Sequence, residues 1–367
     1  MEKHTRKLKG YYPFAKKYPS KRGEGYAIGE SRKMKKKEAL GKALLAAVLV
    51  VVFALVFTAT ALYWQLANRP LPEENEAPAG ITVDEAGKIR AVLITEYEGS
   101  AFDSALQAAR EQGFNAVMLD YKTREGYITF PSSEQNAPQE VKKIGTAALE
   151  KIKAQGFTLV ARIYCFEDRT APQRLNAYTY LDPERTKIWF DAPAAQGGGS
   201  WINPTSEAGR KYLCSVISDA VKAGADCIYL DSVQFPPARE GNTPYFTEDD
   251  SQLNRNAVLS QFLEEAVKSA GTAPVILALP ENGVKGGDAE RFGGTLFDSA
   301  AAICSPVIPS AENYAQAVSE KNAEYTELAK NNFSTLKVVP TLQIQPENPD
   351  FYSQLEKIGV TSYIIVP

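Results

Sequence analysis

The chain has 367 residues, 44% of them hydrophobic, with a formal net charge of −3, four cysteines and a single histidine. That histidine is His4, near the amino terminus, so the body of the chain cannot build Ser-His or Cys-His nucleophile systems, HExxH metallohydrolases or His-ligated metal sites. Charge divides sharply along the chain: residues 1–42 carry 14 Lys/Arg against 4 Asp/Glu, which leaves 27 basic against 40 acidic groups in the remainder.

Residues 1–42 combine this basic excess with Gly, Pro and Tyr, a composition that cannot bury enough apolar area to order itself, and they read as a disordered basic tail suited to anionic lipid. The next 22 residues, Ala43 to Trp64 (ALLAAVLVVVFALVFTATALYW), are uncharged. At 1.5 Å per residue they would span about 33 Å, one bilayer core, and are predicted as a transmembrane helix. Arg32, Lys33, Lys35, Lys36, Lys37 and Lys42 precede it, so the positive-inside rule predicts a single-pass anchor in the cell membrane with a cytoplasmic amino terminus. A cleaved signal is the competing reading, with Ala59-Thr60-Ala61 as its small-residue site, but such signals have an apolar region of about 7–15 residues. Both readings export the rest of the chain. Residues 65–85, with NRPLPEENEAPAG at 68–80, read as a semi-rigid linker.

From residue 86 to 367 short apolar runs bounded by turn residues recur eight times: Ile89 to Thr95, Ala116 to Asp120, Thr158 to Phe166, Cys227 to Asp231, Pro274 to Pro280, Ala301 to Ile308, Lys337 to Gln345 and Thr361 to Pro367. Between most of them lie helix-period segments, at 101–113, 138–156, 206–224, 250–271 and 310–332, several closed by a glycine. Strands apolar on both faces and separated by amphipathic helices imply a parallel sheet, and eight such units imply a (β/α)8 TIM barrel. A doubly wound open sheet is the alternative, but no Gly-rich phosphate fingerprint follows the first strand and no GxxxxGK[ST] occurs, so neither nucleotide nor nucleic acid is an expected partner. Cys165, Cys214, Cys227 and Cys304 have no CxxC spacing and read as small buried thiols. No metal and no cofactor are expected.

Chemistry in such a barrel gathers at the carboxyl ends of the strands. Acids stand there: Glu96, Asp120, Glu167 and Asp168, Asp231, and Glu281 just beyond strand five. Aromatic residues accompany them, including Tyr164, Phe235 and, in the long excursion from 167 to 204, Trp189 and Trp201. Carboxylates supply acid, base or nucleophile for glycosidic cleavage, and rings stack on sugar faces.

At these residues the chain resembles a family of glycosyl hydrolases found as membrane-anchored or secreted barrels in many Gram-positive bacteria. The resemblance runs through GFNAVMLDYK (Asp120 and Lys122), ARIYCF (Ala161, Arg162 and Phe166), WINP (Trp201, Asn203 and Pro204), YLDSVQFP and PTLQIQ (Gln343). The family's fourth-strand Asp-Tyr-x-Arg-Phe-Pro falls on Asp231 to Pro236, keeping Asp, Phe and Pro and replacing Tyr by Ser232 and Arg by Gln234. Its strand-six Pro-Met-x-Tyr-Pro-Ser-His falls on Pro306 to Ala311, without the Met, the Tyr or the His.

The mechanism expected from this pattern makes Asp231 the nucleophile or electrostatic partner and Glu281 the general acid/base. Arg162 would hold Asp231 or Asp120 ionised, while Asp120, Lys122 and Gln343 would bind substrate hydroxyls. Tyr164, Trp201 and Phe235 would supply aromatic surface, with Trp201 the stacking wall. Glu167-Asp168 reads as a helix N-cap rather than a catalytic pair. The expected function is a membrane-anchored hydrolase of an extracellular or envelope polysaccharide. The alternative is a catalytically degenerate barrel that binds envelope glycan or organises envelope proteins without turnover.

Overall fold

The computed structural model describes residues 83–134, 143–174, 179–237, 242, 244, 253–286, 289–292, 300, 302–307, 314–332, 337–342 and 350–366, together with 40, 44 and 48. The chain divides into two units, Met1–Asn75 and Glu76–Pro367. In the first, Leu40, Leu44 and Val48 are helical and exposed. Among the described residues no helix is long and apolar enough to cross a membrane; the anchor expected at 43–64 lies outside them except for Leu44 and Val48.

The second unit holds all eight expected strands: β1 Arg90–Leu93, β2 Ala116–Lys122, β3 Thr158–Tyr164, β4 Cys227–Asp231, β5 Val275–Ala278, β6 Ala302–Val307, β7 Lys337–Leu342 and β8 Tyr363–Ile365. Each pairs in parallel with the next, and β8 returns to β1 through Arg90↔Tyr363, so the barrel closes. The described helices that wrap it are α1 Gly99–Glu111, α2 Thr146–Ala154, α3 Glu207–Lys222, α4 Arg255–Ala270, α5 Tyr314–Asn332 and α6 Phe351–Lys357. Between β5 and β6 the described residues form only two short turns of helix, Glu281–Val284 and Ala289–Phe292.

Period-two alternation sorts the strand residues into two cores. Ala91, Met118, Val160, Tyr229, Ile276, Cys304, Val339 and Ile364 fill the barrel interior. Their neighbours, such as Val117, Leu159, Ile228, Leu230, Leu277 and Ile303, pack outward beneath the helices. In α1 the buried residues Phe102, Leu106 and Ala109 recur at helical spacing, which is why this stretch lies flat on the barrel; each fully buried Leu or Phe contributes about 1.5–3 kcal/mol. Ser206 opens α3 by accepting the Gly209 N–H at 3.1 Å, and Asn254 opens α4 by accepting the Ala257 N–H at 3.0 Å. Helix α2 starts later than expected because Gly145, at its N-cap, is extended.

One irregularity shapes the site. The β2–β3 register shifts between Asp120 and Lys122, so that Asp120 pairs with Arg162 but Lys122 pairs with Ile163. This bulge carries Lys122 from the inner face, where a spacing of two from Asp120 would put it, to the outer face that Ile163 shares.

Candidate active site

Inner-face residues at the carboxyl ends of β3 and β4 line a cavity of about 330 Å³, together with groups from the following loops and the far side of the barrel. Arg162 and Tyr164 come from β3, Tyr229 and Asp231 from β4, Cys304 from β6 and Thr341 from β7; Arg124, Glu167, Ser232, Gln234 and Arg291 complete the polar wall. The volume lies at the small end of the range for ligand pockets, about 300–1,000 Å³.

Arg162 organises one side. Its Nη2 donates to Asp120 Oδ2 at 2.9 Å while Nε donates to Oδ1, a bidentate pair, and the guanidinium carbon stands 5.1 Å from the centroid of the Tyr164 ring. Asp231 lies next to this arrangement. Burial pushes its carboxyl up, the Arg162 charge pulls it down, and the hydroxyl and backbone N–H of Ser232 both donate to it. Glu167, on the other side, is buried and also pushed up by desolvation, with Arg124 opposing through a hydrogen bond from its Nε.

Ser232 joins the two halves. Its Oγ lies 3.2 Å from Asp231 Oδ1 and 3.5 Å from Glu167 Oε2, so one hydroxyl stands between two desolvated carboxylates. The two nearest oxygens are therefore at most about 7 Å apart, below the upper limit of about 9.5 Å for glycosidase carboxylate pairs. Ser232 holds φ at 55°, a left-handed conformation that costs a residue with a Cβ about 1–2 kcal/mol. Backbone strain of this kind clusters at functional positions, and here it falls between the two carboxylates.

The floor is polar but unreactive. Tyr229, Thr341 and Cys304 hydrogen-bond among themselves, and burial pushes the Cys304 thiol up to about 12, which removes it as a nucleophile. All four cysteines are free.

Of the residues expected from sequence, Asp120, Arg162, Tyr164 and Asp231 come together here. Others do not. Lys122 is fully buried on the outer face, where its Nζ meets Asp168 Oδ2 at 2.8 Å and donates to the Tyr164 carbonyl at 2.7 Å, so it does not reach the cavity and cannot meet a sugar hydroxyl there. Trp201 is buried, its Nε1 donating to Asp191 Oδ2 at 3.1 Å, and it presents no stacking wall. Phe235 is likewise core, with the Arg255 guanidinium 5.2 Å from its centroid. Glu281 does not line the cavity: it opens a short surface helix, 44% exposed, between Lys285 at 2.6 Å and Lys321 at 3.0 Å. Those two lysines hold its carboxyl below the usual range, the opposite of what a general acid requires. Gln343 lies outside the described residues.

The expected N-cap is half right. Asp168 Oδ1 accepts the N–H groups of Thr170 and Ala171, both at 2.8 Å, whereas Glu167 faces the cavity. Sequence reasoning passed over Arg124, Ser232, Gln234 and Arg291. Arg124 lies two residues beyond Lys122, and Gln234 takes the Arg291 Nη2 at 2.6 Å, so a guanidinium from a distant loop stands beside the position where the fourth-strand motif would carry its own. No spacing in the sequence signals that pairing.

Residues 91–293 match the family described as putative glycosyl hydrolase domain. No curated protein matches the chain. Among solved structures, a hypothetical protein from Ruminiclostridium thermocellum is similar at 18% identity and a TM-score of 0.45, over 51% of this chain and 96% of that one. The glycoside hydrolase domain of PelA from Pseudomonas aeruginosa is similar at 14% and 0.42, over 76% and 94%. Amy13B from Eubacterium rectale is similar at 10% and 0.48, over 81% and 69%.

Proposed function

The chain belongs to this glycosyl hydrolase family, and from that premise we propose that it is a membrane-anchored glycoside hydrolase acting on an extracellular or cell-envelope polysaccharide, with Asp231 and Glu167 as its carboxylate pair. The observation that carries the reading is the Ser232 hydroxyl shared by two desolvated carboxylates inside a cavity walled by arginines. In this reading Asp231 is the nucleophile or charge stabiliser, because burial pushes its carboxyl up while Arg162 and two Ser232 donors, more partners than Glu167 has, oppose that push. Glu167 takes the acid/base role expected of Glu281, because burial favours the protonated form that can be given to a leaving oxygen. Asp120, Arg162 and Tyr164 bind and orient the sugar. The segment 43–64 anchors the protein with the barrel outside.

The test is reducing-end release from purified envelope polysaccharides by the full chain, by Asp231→Asn and by Glu167→Gln. Release by the wild type and its loss in both variants is the expected result. Equal release by all three overturns the chemistry; retention of glycan without release by the wild type would instead establish a binding barrel, the reading that the replaced Tyr and Arg of the fourth-strand motif favour.

A further inference from the structure

The Lys122–Asp168 pair lies outside the cavity, yet both side chains are fully buried. An ion pair this dry contributes little net stability over a well-packed apolar pair, and its best-attested value is to fix one geometry among several. Its place in the chain indicates which geometry. Lys122 and Ile128 pair as neighbours in a tight hairpin, with Thr123 N–H donating to the Tyr127 carbonyl at 2.9 Å, and Arg124 lies at the tip. Asp168 directly follows Glu167. The buried pair thus sits one or two residues from each partner of the Arg124–Glu167 pair at the cavity wall.

Further contacts tie the hairpin to the β3 loop and brace that loop itself. The Thr170 hydroxyl donates to the Glu125 carbonyl at 2.5 Å, the Ser200 hydroxyl donates to the Asp168 carbonyl at 3.2 Å, and Gly126 packs against the Asp168 carboxylate. Gly126 has φ +92°, and a Cβ there would lie 2.2 Å from Asp168 Oδ1, so only glycine permits the approach. Asp168 is the hub: one oxygen holds two backbone N–H groups of its own loop and the other holds the hairpin's ammonium.

We infer that Lys122 and Asp168 are positioning residues that lock the β2 hairpin onto the β3 loop and so hold Arg124 against Glu167 at the cavity wall. The inference rests on the assignment of Glu167 as the acid/base. The charged groups facing Glu167 are Arg124 from the hairpin, Asp191 from the long excursion and Asp231 from β4. Of these only Arg124 favours its ionised form, and only Arg124 depends on the clamp. Loosening the clamp moves the Glu167 titration upward.

The experiment compares the full chain with Lys122→Met/Asp168→Asn, which removes both charges together and keeps an amide oxygen for the Thr170 and Ala171 N–H groups. The expected result is a folded protein whose kcat falls about a hundredfold while KM holds, the loss that a displacement of about 1 Å in a reacting group produces. The basic limb of its pH profile moves up. Carbodiimide labelling of Glu167 against pH, read by mass spectrometry, reports the same upward shift without requiring turnover. Unchanged kcat, limb and labelling midpoint in a folded double variant overturn the inference. If the wild type releases no glycan, the hydrolase reading fails and the labelling midpoint alone decides the positioning role. Should the double variant not fold, Thr170→Val, which removes one tie between the loops, is expected to raise the midpoint by a smaller step, and no change there overturns the inference.

Discussion

Arg162→Met tests the electrostatics of the mouth most directly. The side chain makes two parallel hydrogen bonds to Asp120, the pair is 9% and 17% exposed, and the same charge opposes the desolvation of Asp231. Removing one partner of a buried pair costs about 3–5 kcal/mol because the other is left uncompensated; partial access of water to Asp120 puts the expected loss at the lower end, about 3 kcal/mol. For a domain of this size each kcal/mol moves the melting temperature by about 2–4 °C, so thermal unfolding followed by circular dichroism should fall by about 6–12 °C. Arg162→Met/Asp120→Leu should recover most of that loss, since no charge is then stranded. In the single variant Asp231 loses the cation that restrained it and its carboxyl titrates higher still. Because the proposed reaction needs it ionised, the acidic limb of kcat/KM is expected to move to higher pH. A melting temperature within about 2 °C of wild type, or an unmoved limb, would refute both the pairing energy and the role of Arg162.

The other expectations concern the carboxylates themselves. Glu167→Gln should lower kcat by about 10²–10⁴-fold, the usual contribution of a general acid or base, measured as reducing ends released at the pH optimum. Glu281→Gln should leave release at the wild-type rate, since its partners are two surface lysines; a large loss would return the acid/base role to Glu281. Asp231→Asn should melt higher than wild type at neutral pH. The sign follows from its raised titration: whatever stability this group contributes is present below the unfolded carboxylate range and is lost as pH rises through the folded value. The gain should therefore shrink on acidification, and a gain that is the same at acid and neutral pH would argue against desolvation as the cause.

How far the sequence predicts this site follows from where periodicity operates. Within strands the two-residue repeat aims side chains, so Asp120, Arg162, Tyr164 and Asp231 are found where alternation puts them. Beyond the strands no repeat constrains direction. Glu281 follows Pro280 at the end of β5 and looks like a rim acid, but its chain turns into a helix whose next residue on that face is Lys285, with Lys321 approaching from α5. Lys122 shares the spacing of its strand and fails for a different reason, the bulge that flips it outward. Trp201 folds back as an antiparallel backbone partner of Glu167 and its ring is buried, a tertiary event with no local sequence trace. The eight strands and five longest helices, by contrast, were legible because each repeats its apolar positions over several turns or pleats.

The Ser232 side chain touches two acids but has a single hydrogen to give. Whichever acid receives it is eased toward its anion at the expense of the other, and each ionisation changes the competition for the next. The two acids thus share one donor, and the loss of a proton from one bears on the other. A rate profile is expected to display a pair of inflections, and substituting either acid by its amide should leave one, moved from its wild-type position.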